Sequence, residues 1–187
     1  VSNEYLIELA NNGLDFVVVN RYIESIAERC VSLNNKLGGY LATQTLIQHG
    51  HKDIGYISGN LWKNDAAARF TGHRMALEEA NIGFNRLLVF EGDFQAESGY
   101  NGMINFLEGP ILPSAIACGN DEMAYGAMQA IREQGFDIPK HISIIGFDNI
   151  EFSRFSFPRL STINYPMDKI GDAAAGWVLY NIYGLGE

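Results

Sequence analysis

Short, continuous apolar runs alternate along this chain with stretches whose apolar positions recur every three to four residues. The first run, Phe16-Val17-Val18-Val19, carries no polar break, the pattern of a strand covered on both faces. From about Leu37 to His49 the spacing predicts a helix with Leu41, Ala42, Thr45 and Leu46 on one face. Gly50, tolerant of positive φ, would end it. The alternation continues through a strand at Ile54–Ile57, a helix from Asp65 to Asn81 that Asp65 could cap, and a strand at Leu87–Phe90. A helix over Ala96–Leu107, a strand at Ala115–Cys118 and a helix from Asp121 to Gln134 come next. Ala124, Ala127, Met128 and Ile131 stand at helical spacing in that last helix, which ends at Gly135. A strand at Ile142–Phe147, a short helical piece near Ile150–Phe155, the run Leu160–Ile163 and a helix from Met167 to Tyr183 complete the pattern.

Strands separated by helices of this length form right-handed βαβ units, so the pattern predicts an α/β fold with parallel sheets flanked by helices. Open parallel sheets bind ligands beyond the carboxyl ends of their strands. That rule selects Asn20 and Arg21, the stretch Asn60 to Asp65, Asp93 and Phe94, Asn120 and Asp121, and Asp148 and Asn149. A sugar or similar polyol needs Asp, Asn and Arg for its hydroxyls and an aromatic face for its apolar side, and these loops offer both.

Each of these residues also has a structural explanation. Asp65 and Asp121 could cap helices, Arg69 could pair with Asp65 one turn earlier on a solvated face, and Phe94 could belong to the core. Asn120 and Asp148 are harder to explain structurally, because each ends an apolar strand at the binding edge.

Charge narrows the partners. The 187 residues hold 13 Lys and Arg against 22 Asp and Glu, a net charge of −9, which disfavours a grip on a phosphate backbone by this segment. Cys30 and Cys118 lie far apart in apolar contexts and read as buried thiols, a usage that fits a reducing cytoplasm. No apolar run approaches the roughly 18 residues of a membrane span. The first residues lack the features of a secretory signal, and a start without Met reads as a piece of something longer. No phosphate-cradling loop, dinucleotide turn, nucleophile elbow or His-Glu-x-x-His helix is present, which disfavours an enzyme and implies no cofactor. His49 and His51 flank Gly50, where a helix dipole favours a partly charged imidazole; His73 and His141 lack a second ligand at metal spacing, so no metal is expected.

The ordered motifs carry a family resemblance. The segment Leu46 to Gly59 resembles the helix, turn and strand that open the second lobe of regulators of the lactose/galactose repressor family. Arg69-Phe70-Thr71-Gly72-His73, Glu97-Ser98-Gly99-Tyr100 and Cys118-Gly119-Asn120-Asp121-Glu122-Met123-Ala124 resemble later motifs of that family. Ile138 to Asn149 and Pro158 to Ile163 follow in the same order. Val19 to Ile23, Arg29 to Val31 and Ile163 to Pro166 look most like the galactose repressor branch.

The resemblance implies a periplasmic-binding-protein-like two-lobe fold with the first lobe incomplete. Residues 1–34 and 162–187 would belong to the first lobe and 35–161 to the second, with the helix-turn-helix DNA-binding head absent from this chain. It implies a cytoplasmic, non-enzymatic repressor that senses a small sugar, a galactose-type hexose first, and contacts operator DNA only through that head. Carried over residue by residue, Arg69 and Asp148 would hold ligand hydroxyls. Asn120 and Asn20 would make polar contacts, Phe94 would stack on the ligand, and Asp65 matches a position held by Ser, Thr or Asp. Asn20 departs from the acid found there in lactose and purine repressors. Homodimer contacts would fall near Tyr125 to Gln129 and Glu151 to Phe155, where Phe152, Phe155 and Phe157 fit either an interface or a core. The alternative of another class is a periplasmic sugar-binding protein of a transport system; a third, an α/β enzyme using Asp148 as acid or base, would require turnover.

Overall fold

The computed structural model describes residues 1–185. Its elements in chain order are α1 (Asn3–Asn11), β1 (Val18–Val19), β2 (Cys30–Val31), α2 (Asn35–Gln48), β3 (Ile54–Ser58), α3 (Asn64–Glu79) and β4 (Val89–Glu91). They continue with α4 (Ala96–Leu107), β5 (Ala115–Cys118), α5 (Asp121–Glu133), β6 (Ser143–Asp148), β7 (Ser161–Asn164) and α6 (Met167–Asn181). The chain divides into two compact units, one built from residues 1–33 and from Pro166 onward, the other from Asn34–Tyr165. The family resemblance implies a second boundary at 162. The structure puts it after Tyr165, because β7 pairs with β6 from Ile145↔Ser161 to Asp148↔Asn164.

In the larger unit five parallel strands run in the order β4-β3-β5-β6-β7. Strand alternation feeds two cores, one on each face. Ile57, Ile116 and Cys118 join Met103, Phe106 and the inner face of α5. Ile54, Tyr56, Ala115 and Ala117 join Ala42, Leu46 and Leu77 from α2 and α3. Every residue of β3 is buried, as a strand with neighbours on both edges and helices on both faces must be.

The smaller unit departs from the sequence pattern. Its sheet is the single pair β1-β2, and β1 is two residues long with Val18 buried and Val19 exposed. The expected both-faces burial of Phe16–Val19 is therefore wrong: one neighbouring strand and a core of Val18, Ile23 and Ile26 cannot cover it. Helix α1, which the periodicity misses, supplies Leu6, Ile7 and Ala10 to that core without burying any residue fully. Cys30 is half-buried rather than buried, its thiol 3.4 Å from the Ile26 carbonyl, while Cys118 is buried.

In α2 the buried face is Gly38, Gly39, Ala42, Thr43 and Leu46; Leu41 is exposed and Thr45 half-buried, contrary to the expected stripe. Thr43 is inside because its hydroxyl pairs with His73 Nδ1 at 2.9 Å. His73 stacks on Tyr56 with ring centroids 4.6 Å apart, and burial pushes its pKa down to about 3, which keeps it neutral. His51 bridges the hydroxyls of Ser114 and Ser143, both at 3.0 Å, at the start of β5 and β6. Burial, with His49 nearby, lowers its pKa, which favours the neutral imidazole over the partial charge expected for His51.

Helices α2 and α3 touch through glycine. A Cβ on Gly39 would stand 2.0 Å from the Arg69 carbonyl, and one on Gly72 2.0 Å from the Lys36 carbonyl. Backbone cannot retreat as a flexible side chain can, so this pair fixes how closely α3 lies on α2. Gly39→Ala should destabilise the protein by about 2 kcal/mol or more, read from the denaturation midpoint. Gly83→Ala, where a Cβ meets nothing within 4 Å, should leave the midpoint unchanged.

Candidate functional site

The chain leaves β3 for the edge strand β4 and then returns to β5 on the other side of β3. The loops after β3 and β5 therefore diverge, leaving the crevice in which such sheets hold ligands. Arg69, from the second turn of α3, reaches this edge. It is 5% exposed, donates from Nε to Asn35 Oδ1 at 2.8 Å and from Nη1 to the Gly119 carbonyl at 2.6 Å, and lies 3.7 Å over the Phe147 ring. The expected alternative, a solvated pair with Asp65, is not what forms. The acid beside Arg69 is Asp148, with Oδ1 3.7 Å from Nη1.

That distance decides the chemistry. At 3.7 Å the two charges attract but are not hydrogen-bonded, so each keeps capacity for a third group. Burial pushes the Asp148 pKa up to about 6, opposed by Arg69 and assisted by Asp121, Asp65 and Glu122. Burial also lowers the Arg69 pKa, with Asp148 and Asp65 working against it, and a guanidinium retains its charge throughout.

Asp148 has φ 117° and Asn149 φ 55°, two consecutive residues in backbone regions that side chains disfavour, at roughly 1–3 kcal/mol each. The surroundings hold them there. The Asn149 N–H donates to Thr162 Oγ at 3.1 Å, its amide donates to Asn164 Oδ1 at 2.8 Å, and the Ile150 N–H donates to Asp121 Oδ2 at 3.0 Å. Asp121 is fully buried and also accepts the Thr162 hydroxyl at 2.5 Å. It does not cap α5; that place belongs to Asn120, whose Oδ1 accepts the Met123 N–H at 2.9 Å.

The Asn120 amide also donates to the Phe94 carbonyl at 2.9 Å, so one side chain caps α5 and ties down the loop after β4. Phe94 has φ 76° and is half-buried: one part packs on the core, and the ring covers Gly59, where any Cβ would collide with it. Lys63 Nζ lies 5.3 Å from the Phe94 ring and 5.5 Å from that of Trp62, which is 78% exposed. Asp65 stands in the first turn of α3 rather than at its cap, which is Lys63, and its Oδ1 accepts the Ala66 N–H.

Arg69, Asp148, Asn120, Phe94 and Asp65 thus all belong to the larger unit and its strand ends. Asn20 lies in the smaller unit, exposed, with φ 66° and its N–H on the Val31 carbonyl. Sequence reasoning misses Asn35, Gly119 and Phe147, the groups that hold Arg69. Asn35 falls outside the helix as the pattern bounds it, and a carbonyl or a strand aromatic carries no sequence signal of its own. A separate surface cleft of about 440 Å³ is lined by Thr71, Arg74, Glu78, Phe84 and their neighbours, with none of the strand-end residues among them.

Residues 43–186 match the family described as the periplasmic binding protein-like domain. The chain belongs to that family. It is 45% identical over 149 residues, 80% of its length, to the HTH-type transcriptional repressor PurR of Actinobacillus pleuropneumoniae serotype 5b (strain L20). Identity to the PurR of Pasteurella multocida (strain Pm70) is 49% over 137 residues. The chain spans 44% and 41% of the lengths of these two relatives.

Among solved structures it resembles a sugar-binding transcriptional regulator of the LacI family from Escherichia coli, complexed with phosphate. The TM-score is 0.96 at 27% identity, over 100% of this chain and 68% of that one. A LacI-family regulator from Enterococcus faecium with bound ribose matches with a TM-score of 0.86 at 29% identity, over 98% of this chain and 68% of that one. The α/β periplasmic-binding-protein-like fold expected from the sequence is thus the fold observed. The lactose-repressor-type resemblance stands as well, while its galactose branch is not singled out, since these two relatives are named PurR.

The double duty of Asn120 has a measurable cost. Asn120→Ala removes a helix cap and the tether of a left-handed Phe94, and should destabilise the protein by about 1–2 kcal/mol. Amide exchange in the loop Gly92–Gln95 should rise with it; an unchanged loop would show that the tether is dispensable.

Proposed function

We propose that this chain is the effector-sensing part of a transcription repressor of the lactose-repressor type, and that the larger unit's strand ends hold a small, uncharged, ring-shaped ligand. The observation that carries this reading is the buried Arg69 guanidinium facing Asp148 at 3.7 Å, each with hydrogen-bonding capacity to spare. An oxygen or nitrogen of a ligand that bridges the two would gain charge-assisted hydrogen bonds in a desolvated place. Phe94 offers an aromatic face for the ring, and Asn120 and Asp65 supply further polar contacts. Asp65, Asp148, Asp93 and Glu91 make the edge acidic in sum, which disfavours an anionic ligand.

A galactose-type hexose is the leading effector, on the likeness of Val19 to Ile23 and Ile163 to Pro166 to that branch. A purine base is the second reading, favoured by the 45–49% identity to transcriptional repressors named PurR. A transport receptor is disfavoured by the same relatives. Ligand acts by shifting the population of two arrangements, which changes the affinity of a helix-turn-helix head for operator DNA. This segment, with its net charge of −9, makes no such contact itself.

The working form is a cytoplasmic homodimer. Phe152, Phe155 and Phe157 are 60%, 73% and 91% exposed, so the core alternative for them falls and the interface alternative remains. No helix among the described residues is long and apolar enough to cross a membrane.

Titration calorimetry of the full-length protein with D-galactose and with hypoxanthine tests the reading. Asp148→Asn and Arg69→Lys should each weaken the saturable ligand at least tenfold with the fold retained. Unchanged affinity in both would remove the site.

The pH dependence follows from Asp148. Its carboxyl is protonated below a pKa of about 6, and the acceptor that binding requires is present above it. Affinity should therefore rise between pH 5 and pH 7 and level off beyond. Asp148→Asn should abolish the slope, and a flat wild-type profile would show that this carboxylate does not bind ligand.

A further inference from the structure

Two side-chain hydroxyls among the described residues are buried without a hydrogen-bond partner, those of Tyr125 and Tyr165. Tyr125 lies beside Ser153 and Ser156, whose rotatable hydroxyls can serve it. Tyr165 has no such neighbour, and its position is informative. It follows β7 directly, its N–H donates to the Asp148 carbonyl at 3.1 Å, and Asn164 before it is paired with Asp148 in the sheet. The charges that bear on its phenol are Arg69, Asp148 and Asp65, three of the residues already placed at the ligand edge. Burial raises its pKa, so the phenol stays protonated and can both donate and accept.

A buried hydroxyl without a partner costs about 1–3 kcal/mol, and such groups are rare in folded proteins unless something else satisfies them. Here the unsatisfied group belongs to the residue whose backbone N–H is bonded to Asp148, and Arg69 and Asp148, which also retain capacity, are among the charges that act on it. Three elements, α3, β6 and the end of β7, thus bring spare hydrogen-bonding groups to the same edge of the sheet. We infer that Tyr165 is a ligand-contacting residue that sets specificity: its hydroxyl pairs with a ligand hydroxyl or ring nitrogen beside the atom held by Arg69 and Asp148. This rests on the effector-binding reading above and adds to it a requirement on the ligand, which must present two adjacent hydrogen-bonding positions, as vicinal sugar hydroxyls or the edge of a purine do. A site built to bond a ligand hydroxyl discriminates strongly against an analogue that lacks it, because the protein group is then left unpaired.

The test is Tyr165→Phe in the full-length protein, with two readouts. In the absence of ligand, deletion of an orphaned hydroxyl should leave Tm unchanged or raise it, whereas a hydroxyl bonded within the protein would be missed and Tm would fall by several degrees. In calorimetric titration with D-galactose and hypoxanthine, Tyr165→Phe should lose at least tenfold in affinity for whichever probe binds the wild type. The singly deoxygenated galactoses, or purine in place of hypoxanthine, should include one analogue that wild type and variant bind equally. A lowered ligand-free Tm, or full affinity in the variant, overturns the assignment of Tyr165 and leaves the effector reading standing. A wild type that binds neither probe overturns the effector classes proposed above, and the assignment with them.

Discussion

A guanidinium can leave water only where the protein replaces the hydration it loses, and the larger unit is organised around one such group. Arg69 is met by a carbonyl, a side-chain amide oxygen and an aromatic face, each from a different element: Gly119 after β5, Asn35 at the start of α2 and Phe147 in β6. These partners fix the head of the side chain in position and orientation. The backbone that carries it is fixed separately by the close approach of α2 and α3 at Gly39 and Gly72, where carbonyls of each helix occupy the space of a Cβ on the other. Asp148 supplies the opposing charge without closing on it, so the burial is compensated while hydrogen-bonding capacity is kept in reserve.

The strain at the strand ends follows the same logic. Phe94, Asp148 and Asn149 all adopt positive φ, and each is restrained by bonds from outside its own loop. The consecutive residues Asn120 and Asp121 divide this work: the first caps α5 and holds the Phe94 loop, the second accepts from Ile150 and Thr162 and so holds the segment after Asp148. That segment continues within a few residues into the exposed Phe152 and Phe155. Two residues at positive φ and one buried carboxylate thus connect Asp148 to this exposed aromatic segment.

Where a signal was periodic and locally satisfied, the sequence could be read. β3, β5, β6, α4 and α5 fall where the apolar pattern puts them, because strands covered on both faces and helices with one inner face leave unambiguous traces. α2 departs from the pattern because its inner face is made of glycine, threonine and alanine with Leu46, and not of Leu41; close helix contact and the Thr43–His73 pair need small and polar residues, which a hydrophobic stripe does not show. The smaller unit departs for the opposite reason: its apolar run of four has the pattern of a covered strand, yet only Val18 is buried. Of the proposed site, the strand-end rule found the polar residues, and the family likeness supplied Arg69. Neither could find Tyr165 or Asn35, whose significance lies in a missing partner and in a bond across 34 positions of sequence.

The central claim is that Arg69 and Asp148 are held apart in order to receive a ligand atom between them. The most direct measurement is a crystal structure of the full-length protein bound to whichever of D-galactose or hypoxanthine titrates. The account predicts one ligand heteroatom within hydrogen-bond distance of both the Arg69 guanidinium and the Asp148 carboxylate, with the ring against Phe94. A ligand seated elsewhere, with Arg69 and Asp148 closed on each other in a direct hydrogen bond, would contradict it.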